Sequence, residues 1–138
     1  LIQLHQWYYL WTHRPEWLDT LRALRDEGKI RHIGISAQDH EHDALLQVMD
    51  RGDVDVVQIF YNIFESRPLE AVLPLAQQRG IGVIARCVLD GGGIRSNITA
   101  RDLVGTDYFR GHEEMYARRV AMLAERFASV ADSVEELA

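Results

Sequence analysis

Apolar residues recur along this chain in four short runs, and each run is followed by a polar side chain. The runs and the residues after them are 1–4 with His5, 30–35 with Ser36, 54–57 with Gln58, and 81–85 with Arg86. The runs begin roughly 25 to 30 residues apart, and apolar residues in the gaps follow the helical period. Strands that alternate with helices in this way predict βαβ units and a parallel sheet.

The gaps and the end of the chain carry recognisable helix signals. Pro15 is expected to open the first helix, because proline in the first position loses no hydrogen bond, and Gly28 is expected to end it. The second helix is predicted over residues 39–51, with Asp39 as its N-cap. The third follows Pro68 and ends at Gly80, although Pro74 inside its pattern counts against it.

Beyond the fourth run the pattern changes. Residues 90–93 read as a turn-rich loop, and residues 96–107 show no clear period, which predicts a long excursion over the face of the sheet where the strands end. Residues 113–127 recover a helical stripe. A further helix is expected to start at Asp132 or Ser133.

The polar residues at the strand ends form the candidate site. Parallel strands point their C-terminal ends at one face, and in a (β/α) barrel that face carries the active site. We therefore expect His5, Ser36, Gln58, Asn62 and Arg86 to converge on one ligand. Imidazole can transfer a proton near neutral pH, hydroxyl and amide groups suit a ligand amide, and guanidinium pairs with anions or stacks on rings.

Each of these side chains also has a purely structural explanation. A strand-end histidine is often a satisfied structural residue, serine and asparagine often cap loops, and an arginine can form a salt bridge at the rim of the sheet. The aromatic segment 7–11 has the same two interpretations. It either covers the mouth of the barrel by packing or forms the wall of a substrate pocket, and in the second case Trp7 binds substrate.

Composition limits the class of protein. The net charge is −6 without a basic stripe, which argues against a nucleic-acid partner, and no apolar stretch reaches the length of a membrane span. Cys87 is the only cysteine, so an internal disulfide is excluded and a reducing compartment, the cytoplasm, is expected. The sequence has none of the usual metal-binding motifs, so no metal is expected.

The chain is short for a complete barrel. It has 138 residues, whereas a (β/α)8 barrel typically takes about 250. It begins with Leu1 inside an apolar run and stops inside an expected helical turn. Residues 1–138 are therefore expected to be part of a single larger domain, truncated at both ends.

Four strings together resemble the aldo-keto reductases. They are LIQLH at residues 1–5, GKIRHIGIS at 28–36, VQIFYN at 57–62 and GIGVIAR at 80–86, and their order and spacing agree over residues 1–94. The resemblance implies an oxidoreductase that interconverts carbonyl compounds and alcohols by hydride transfer with NADP(H). It also implies a (β/α)8 TIM barrel of which this chain supplies about strands four to seven.

The resemblance also implies roles for single residues. His5 takes the place of the catalytic histidine that polarises the substrate carbonyl, and Ser36 and Gln58 match residues that bind the nicotinamide carboxamide. Ala37 replaces an asparagine of that set. Arg86 stands where an aromatic residue commonly stacks on the nicotinamide, and its guanidinium plane is expected to do the same.

Two more residues match the loop that passes near the cofactor pyrophosphate. These are Leu89 and Gly92, while Val88 replaces the usual proline between them and the strand. The aspartate, tyrosine and lysine of the family's catalytic tetrad come from the first three strands. The resemblance therefore implies that residues 1–138 alone are inactive.

Other interpretations stay open at this point. The same fold can serve as a non-catalytic module that binds a cofactor or regulates a partner, and an unrelated barrel enzyme such as a lyase is a third possibility. A half barrel exposes two sheet edges, which favours association with another copy of the chain.

Overall fold

The computed structural model describes residues 1–137 and, for Leu10, the main chain only. It contains two compact units, one formed by Leu1–Arg86 and the other beginning at Cys87. The first unit holds a four-stranded sheet whose strands are all parallel and follow chain order. The strands are β1 (Ile2–Trp7), β2 (Ile33–Ala37), β3 (Val56–Phe60) and β4 (Gly82–Arg86).

Helical segments connect these strands. The α-helices are α1 (Glu16–Asp26), α2 (Leu46–Asp50) and α3 (Val72–Arg79), and short 3₁₀ turns cover Tyr9–His13, His42–Leu45 and Arg67–Leu69. One helix lies between each pair of consecutive strands, which confirms the predicted alternation. The arrangement is that of part of a (β/α)8 barrel, with neighbouring parallel strands joined by helical crossovers.

The core of the first unit lies between the sheet and the helices. Side chains alternate between the faces of a strand, so one set from β2 and β3 packs under the helices. This set includes Ile33, Ile35, Val57 and Ile59, none of which is accessible to solvent. From the helices it meets Leu18, Leu21, Leu45, Val48, Met49, Val72 and Ala76.

The other face of the sheet carries the polar residues predicted for the site. Ser36 lies opposite Gln58, and Gln58 lies opposite Ile84 in the parallel register. Further along the same strands, Phe60 lies opposite Arg86. Because residues two apart share a face, these five side chains belong to one face, and Phe60 and Arg86 mark its C-terminal end.

β1 contains a register irregularity that decides where the side chains of His5 and Trp7 lie. Leu4 pairs with Ile35 and Trp7 pairs with Ala37, so β1 holds one more residue than β2 over this stretch. Gln6 within the bulge has φ +53°, a conformation that is costly outside glycine. The extra residue returns Trp7 to the helix-covered face while His5 lies at the strand end.

The predicted helix over residues 39–51 is wrong in its first half. The chain makes a 3₁₀ turn at His42–Leu45 and becomes α-helical only from Leu46. His40 has φ +62°, which no right-handed helix allows, and the carboxylate of Asp39 pairs with Arg86 and does not cap a helix.

Other predictions need smaller corrections. Pro15 lies one position before α1, and Gly28 has the left-handed φ (+74°) expected after a helix end. Pro74 is the third residue of α3, where its missing N–H costs no intrahelical bond. The side chains of β4 are mostly exposed, and within residues 1–137 this strand pairs with β3 alone.

The second unit is helical. It contains α4 (Ala100–Leu103), α5 (Glu113–Arg126) and 3₁₀ turns at Asp90–Gly92 and Glu135–Leu137. The α5 helix confirms the stripe over 113–127, whereas α4 lies in a stretch predicted to be irregular. Thr99 and Asp102 form a reciprocal capping box at its start. The predicted last helix is a 3₁₀ turn over the described residues, and Ala138 lies outside them.

Candidate active site

A cavity of about 420 Å³ lies where the first, second and fourth strands end. It is lined by His5, Gln6, Tyr8, Gln38, Asp39 and Arg86. The structure therefore brings together two of the residues predicted for the site, His5 and Arg86, from strands far apart in sequence. Polar and aromatic side chains with a titratable imidazole at the C-terminal ends of parallel strands are typical of a ligand site in this fold.

Arg86 is held at the cavity by charged, hydrogen-bonding and aromatic contacts. Its guanidinium forms an ion pair with Asp39, and Nη2 donates to the main-chain oxygen of Ala37 at 3.4 Å. The guanidinium carbon lies 5.5 Å from the centre of the Phe60 ring, within the range of a cation–π contact. The predicted salt bridge is therefore present, and the plane of the guanidinium is also fixed beside an aromatic ring. Asp39 is a site residue that the sequence analysis assigned to a helix cap instead.

Ser36 and Gln58 lie next to each other on the same face of the sheet. Ser36 is completely buried, and its Oγ has no hydrogen-bond partner among the described residues. The Oε1 of Gln58 accepts a bond of 2.9 Å from Nε2 of Gln3, so its own Nε2 is the group suited to donate to a ligand. Leaving a buried hydroxyl without a hydrogen-bond partner costs about 1–3 kcal/mol.

Asn62 has a structural role in the turn after β3. Its Oδ1 accepts hydrogen bonds from the main-chain N–H groups of Phe64 and Glu65, at 2.9 and 3.0 Å. These bonds close the turn after β3, as the structural explanation of this residue predicted.

His5 is exposed at the cavity, directly before the bulged residue Gln6. Bulges occur often next to active sites, because the extra residue changes the direction in which a side chain points. The alternation of apolar and polar residues over 1–6 did not predict the bulge, because one inserted residue does not change the pattern of so short a segment recognisably.

The two first aromatic residues of segment 7–11 lie in different environments. Trp7 is 1% exposed and packs edge-to-face against Trp17, and its Nε1 donates to the main-chain oxygen of Ala44 at 3.1 Å. Tyr8 lines the cavity, and its hydroxyl donates to Gln6. The structure thus places Trp7 in the hydrophobic core and Tyr8 at the site.

The loop after β2, which supplies Gln38 and Asp39, is held by a charged cluster. Glu65 bonds His40 Nδ1 at 2.7 Å and receives two bonds of 2.8 Å from the guanidinium of Arg67. The bonds from Arg67, with a further one from His40, lower the pKa of Glu65 from 4.5 to about 2 although burial acts in the opposite direction. This cluster ties the loop after β2 to the loop after β3.

Glu65→Gln is expected to lower the free energy of unfolding near neutral pH by about 1–2 kcal/mol, allowing for solvent around Arg67. The folded-state pKa lies below the unfolded value, so the stabilisation is present above about pH 4.5 and is lost as the pH falls towards about 2. Urea unfolding of both proteins from roughly pH 7 to pH 3 measures this as a difference that narrows with acid. Glu70→Gln, at an exposed position nearby, is the control, and a difference independent of pH would contradict the role of the carboxylate.

Leu89 and Gly92 belong to the second unit. Both are exposed, and Gly92 has φ +86° while its N–H donates to the main-chain oxygen of Leu89 at 2.9 Å. Their predicted contact with a pyrophosphate stays a prediction.

In residues 1–137 no group of three or more His, Cys, Asp or Glu side chains is arranged to hold a metal ion. Over the same residues, none of the helices has both the length and the apolar character needed to span a membrane.

Comparison with known proteins adds to this geometry. The sequence model of the Aldo/keto reductase family matches residues 1–137. The chain belongs to the aldo/keto reductase family. It is also 30% identical, over 121 residues, to a protein of Escherichia coli (strain K12) named NADH-specific methylglyoxal reductase. The alignment covers 88% of this chain and 34% of that relative, so the chain spans about a third of the length of the relative.

Proposed function

We propose that this chain belongs to an oxidoreductase that interconverts carbonyl compounds and alcohols with a nicotinamide dinucleotide. The observation that carries the proposal is the cavity at the strand ends, which joins the imidazole of His5 to the fixed guanidinium of Arg86. Membership of the aldo/keto reductase family and the name of the Escherichia coli relative support the same reaction class.

The residues present fit the nicotinamide end of such a cofactor. The buried Oγ of Ser36 has no hydrogen-bond partner within the described residues 1–137, and the Nε2 of Gln58 lies one strand away on the same face. A hydroxyl and an amide together match a carboxamide, which both donates and accepts hydrogen bonds. Arg86 offers a planar cation at the same end of the sheet, suited to lie against an aromatic ring.

The cofactor supplies a hydride when it is bound, and the protein residues prepare the carbonyl that receives it. His5, exposed at the cavity, is suited to donate a hydrogen bond to the carbonyl oxygen and to stabilise the negative charge that develops there. Tyr8, rather than the buried Trp7, supplies the aromatic wall beside the substrate. Leu89 and Gly92 are proposed to contact the pyrophosphate.

We propose NADPH as the reduced cofactor, from the resemblance to the family, with NADH as the alternative that the name of the Escherichia coli relative favours. We also propose that the chain forms part of one barrel domain of a longer, cytoplasmic protein, and that residues 1–138 alone are inactive. Over the described residues, β1 and β4 are the edge strands of the sheet, and each pairs with one neighbouring strand. Such unpaired edges support association of copies of the chain when it is isolated.

The test is the consumption of NADPH and of NADH by the full-length protein in the presence of methylglyoxal and simple aldehydes. We expect oxidation of the reduced cofactor that depends on the carbonyl compound. Binding of either cofactor without turnover would show a non-catalytic module instead. Absence of any change in cofactor fluorescence or absorbance would contradict the proposed function.

Asp39→Asn is expected to weaken binding of the reduced dinucleotide about two- to fivefold, because the guanidinium of Arg86 loses its charged anchor. The side chains of Asp39 and Arg86 are both partly exposed, so solvent weakens their ion pair and the expected loss of affinity is small. Titration of protein fluorescence with NADPH measures it. Asp50→Asn removes an exposed ion pair with Arg79 and is the matched control, and equal affinity of the two variants would contradict a positioning role for Asp39.

A further inference from the structure

Gln38 has an unusual environment at the cavity. It follows β2 directly and lines the cavity together with His5 and Arg86. Its Oε1 is inaccessible to solvent and has no hydrogen-bond partner among residues 1–137. Leaving a buried acceptor unpaired costs about 1–3 kcal/mol, so a group with this cost beside a cavity is typical of a residue that a ligand satisfies.

The neighbouring groups of the cavity do not supply the missing donor. The guanidinium of Arg86 is directed to Asp39 and to the main-chain oxygen of Ala37. The hydroxyl of Tyr8 donates to Gln6. Oε1 of Gln38 therefore has no hydrogen-bond donor among residues 1–137, on a side chain that belongs to the lining of the cavity.

The position of Gln38 in the chain places it beside Ser36. Residues two apart along an extended segment lie on the same face, so the hydroxyl of Ser36 and the amide of Gln38 are consecutive polar groups on one side. Ala37 between them offers only a methyl group. A donor from Ser36 and an acceptor from Gln38 are complementary to a primary carboxamide, which presents one oxygen and two N–H groups.

We propose that Oε1 of Gln38 accepts a hydrogen bond from the amide N–H of the nicotinamide carboxamide, and that Gln38 is therefore a specificity-determining residue for the cofactor. This rests on the proposed function, since it assigns the carboxamide to the same cavity. A substrate carbonyl does not meet the requirement, because it is an acceptor, and an acceptor cannot satisfy Oε1.

The experiment compares two reduced cofactors that differ at one group. In the 3-acetylpyridine analogue a methyl group replaces the amide nitrogen of the carboxamide, so the proposed donor is absent. Dissociation constants of both are measured by protein fluorescence for the full-length protein and for Gln38→Met, which removes the acceptor at nearly constant volume. Gln38→Glu keeps an acceptor and is the rescue variant, and Gln78→Met on an exposed face of α3 is the matched control.

The natural protein and the Gln78→Met control are expected to prefer the natural cofactor about tenfold over the analogue. Gln38→Met is expected to bind the two about equally, and Gln38→Glu to keep the preference. A Gln38→Met protein that retains the full preference, or a natural protein that shows none, would overturn the assignment of Gln38 and leave the oxidoreductase proposal standing. Absence of binding of either cofactor to the natural protein would overturn both.

Discussion

His5→Gln in the full-length protein is expected to lower turnover about 10²–10⁴-fold with carbonyl substrates. Glutamine preserves a donor near the same place but neither carries a positive charge nor exchanges a proton near neutral pH. His5 lies exposed at the cavity, so its removal leaves the hydrophobic core intact. The loss should therefore appear in kcat, with the affinity for the reduced dinucleotide changed by no more than about twofold.

The matched control for this prediction is His32→Gln. His32 is also exposed, but it lies directly before β2, at the end of the strand away from the cavity. Steady-state kinetics and cofactor titration of both variants separate chemistry from binding. Turnover of His5→Gln comparable to that of the control would show that His5 has no part in the reaction.

Gly93→Ala is expected to destabilise the second unit by about 2–4 kcal/mol. Gly93 has φ −77°, so alanine meets no backbone strain there. A Cβ at this position would lie 2.5 Å from Cε1 of Tyr116 and 2.8 Å from Cζ of Phe109. These are rigid rings in a packed core, and neither can move aside as a flexible side chain would.

Displacement of Tyr116 carries a second cost. Its hydroxyl donates to the buried carboxylate of Asp90 at 2.6 Å, and Tyr108 donates to the other oxygen of that carboxylate at 2.7 Å. Burial and the carboxylate raise the pKa of Tyr116, which keeps the hydroxyl protonated as a donor. Hydrogen bonds to a buried charged group contribute about 1.5–3 kcal/mol, so the shift of one ring also weakens this contact.

Urea unfolding measures the effect of Gly93→Ala, with Gly82→Ala as the control. In β4 the nearest atom to an added Cβ at Gly82 is Cγ2 of Val56 at 3.4 Å, an ordinary contact. The control is expected to change the free energy of unfolding by no more than about 0.5 kcal/mol. Equal stability of the two variants would contradict the close packing of Gly93 against the aromatic rings.

The parts of the fold that follow local pattern were predictable from the sequence. The four strands occur at the four apolar runs, and α1 and α5 occur at the two clearest helical stripes. The helix over residues 39–51 failed because long-range contacts decide that segment. Asp39 pairs with Arg86 and His40 pairs with Glu65, and neither partner is visible in the local sequence.

The candidate site was also predictable only in part, because some of its residues follow the strand pattern and others reach the cavity through long-range contacts. Residue types at strand ends indicated His5 and Arg86, because parallel strands deliver their ends to one face. Gln38 and Asp39 were missed, since both lie beyond the end of β2 and reach the cavity through a loop. Tyr8 was indicated only as a member of the aromatic segment 7–11, in which Trp7 was the residue chosen. An unpaired buried oxygen, such as Oε1 of Gln38, is a property of the folded molecule and leaves no sequence signal.

The most direct measurement is a crystal structure of the full-length protein with its nicotinamide dinucleotide bound. The account predicts that the nicotinamide ring lies against the guanidinium of Arg86 and that its carboxamide is within hydrogen-bond distance of Ser36 and Gln58. A nicotinamide ring bound away from the ends of these strands, with His5 and Arg86 both remote from it, would contradict the account.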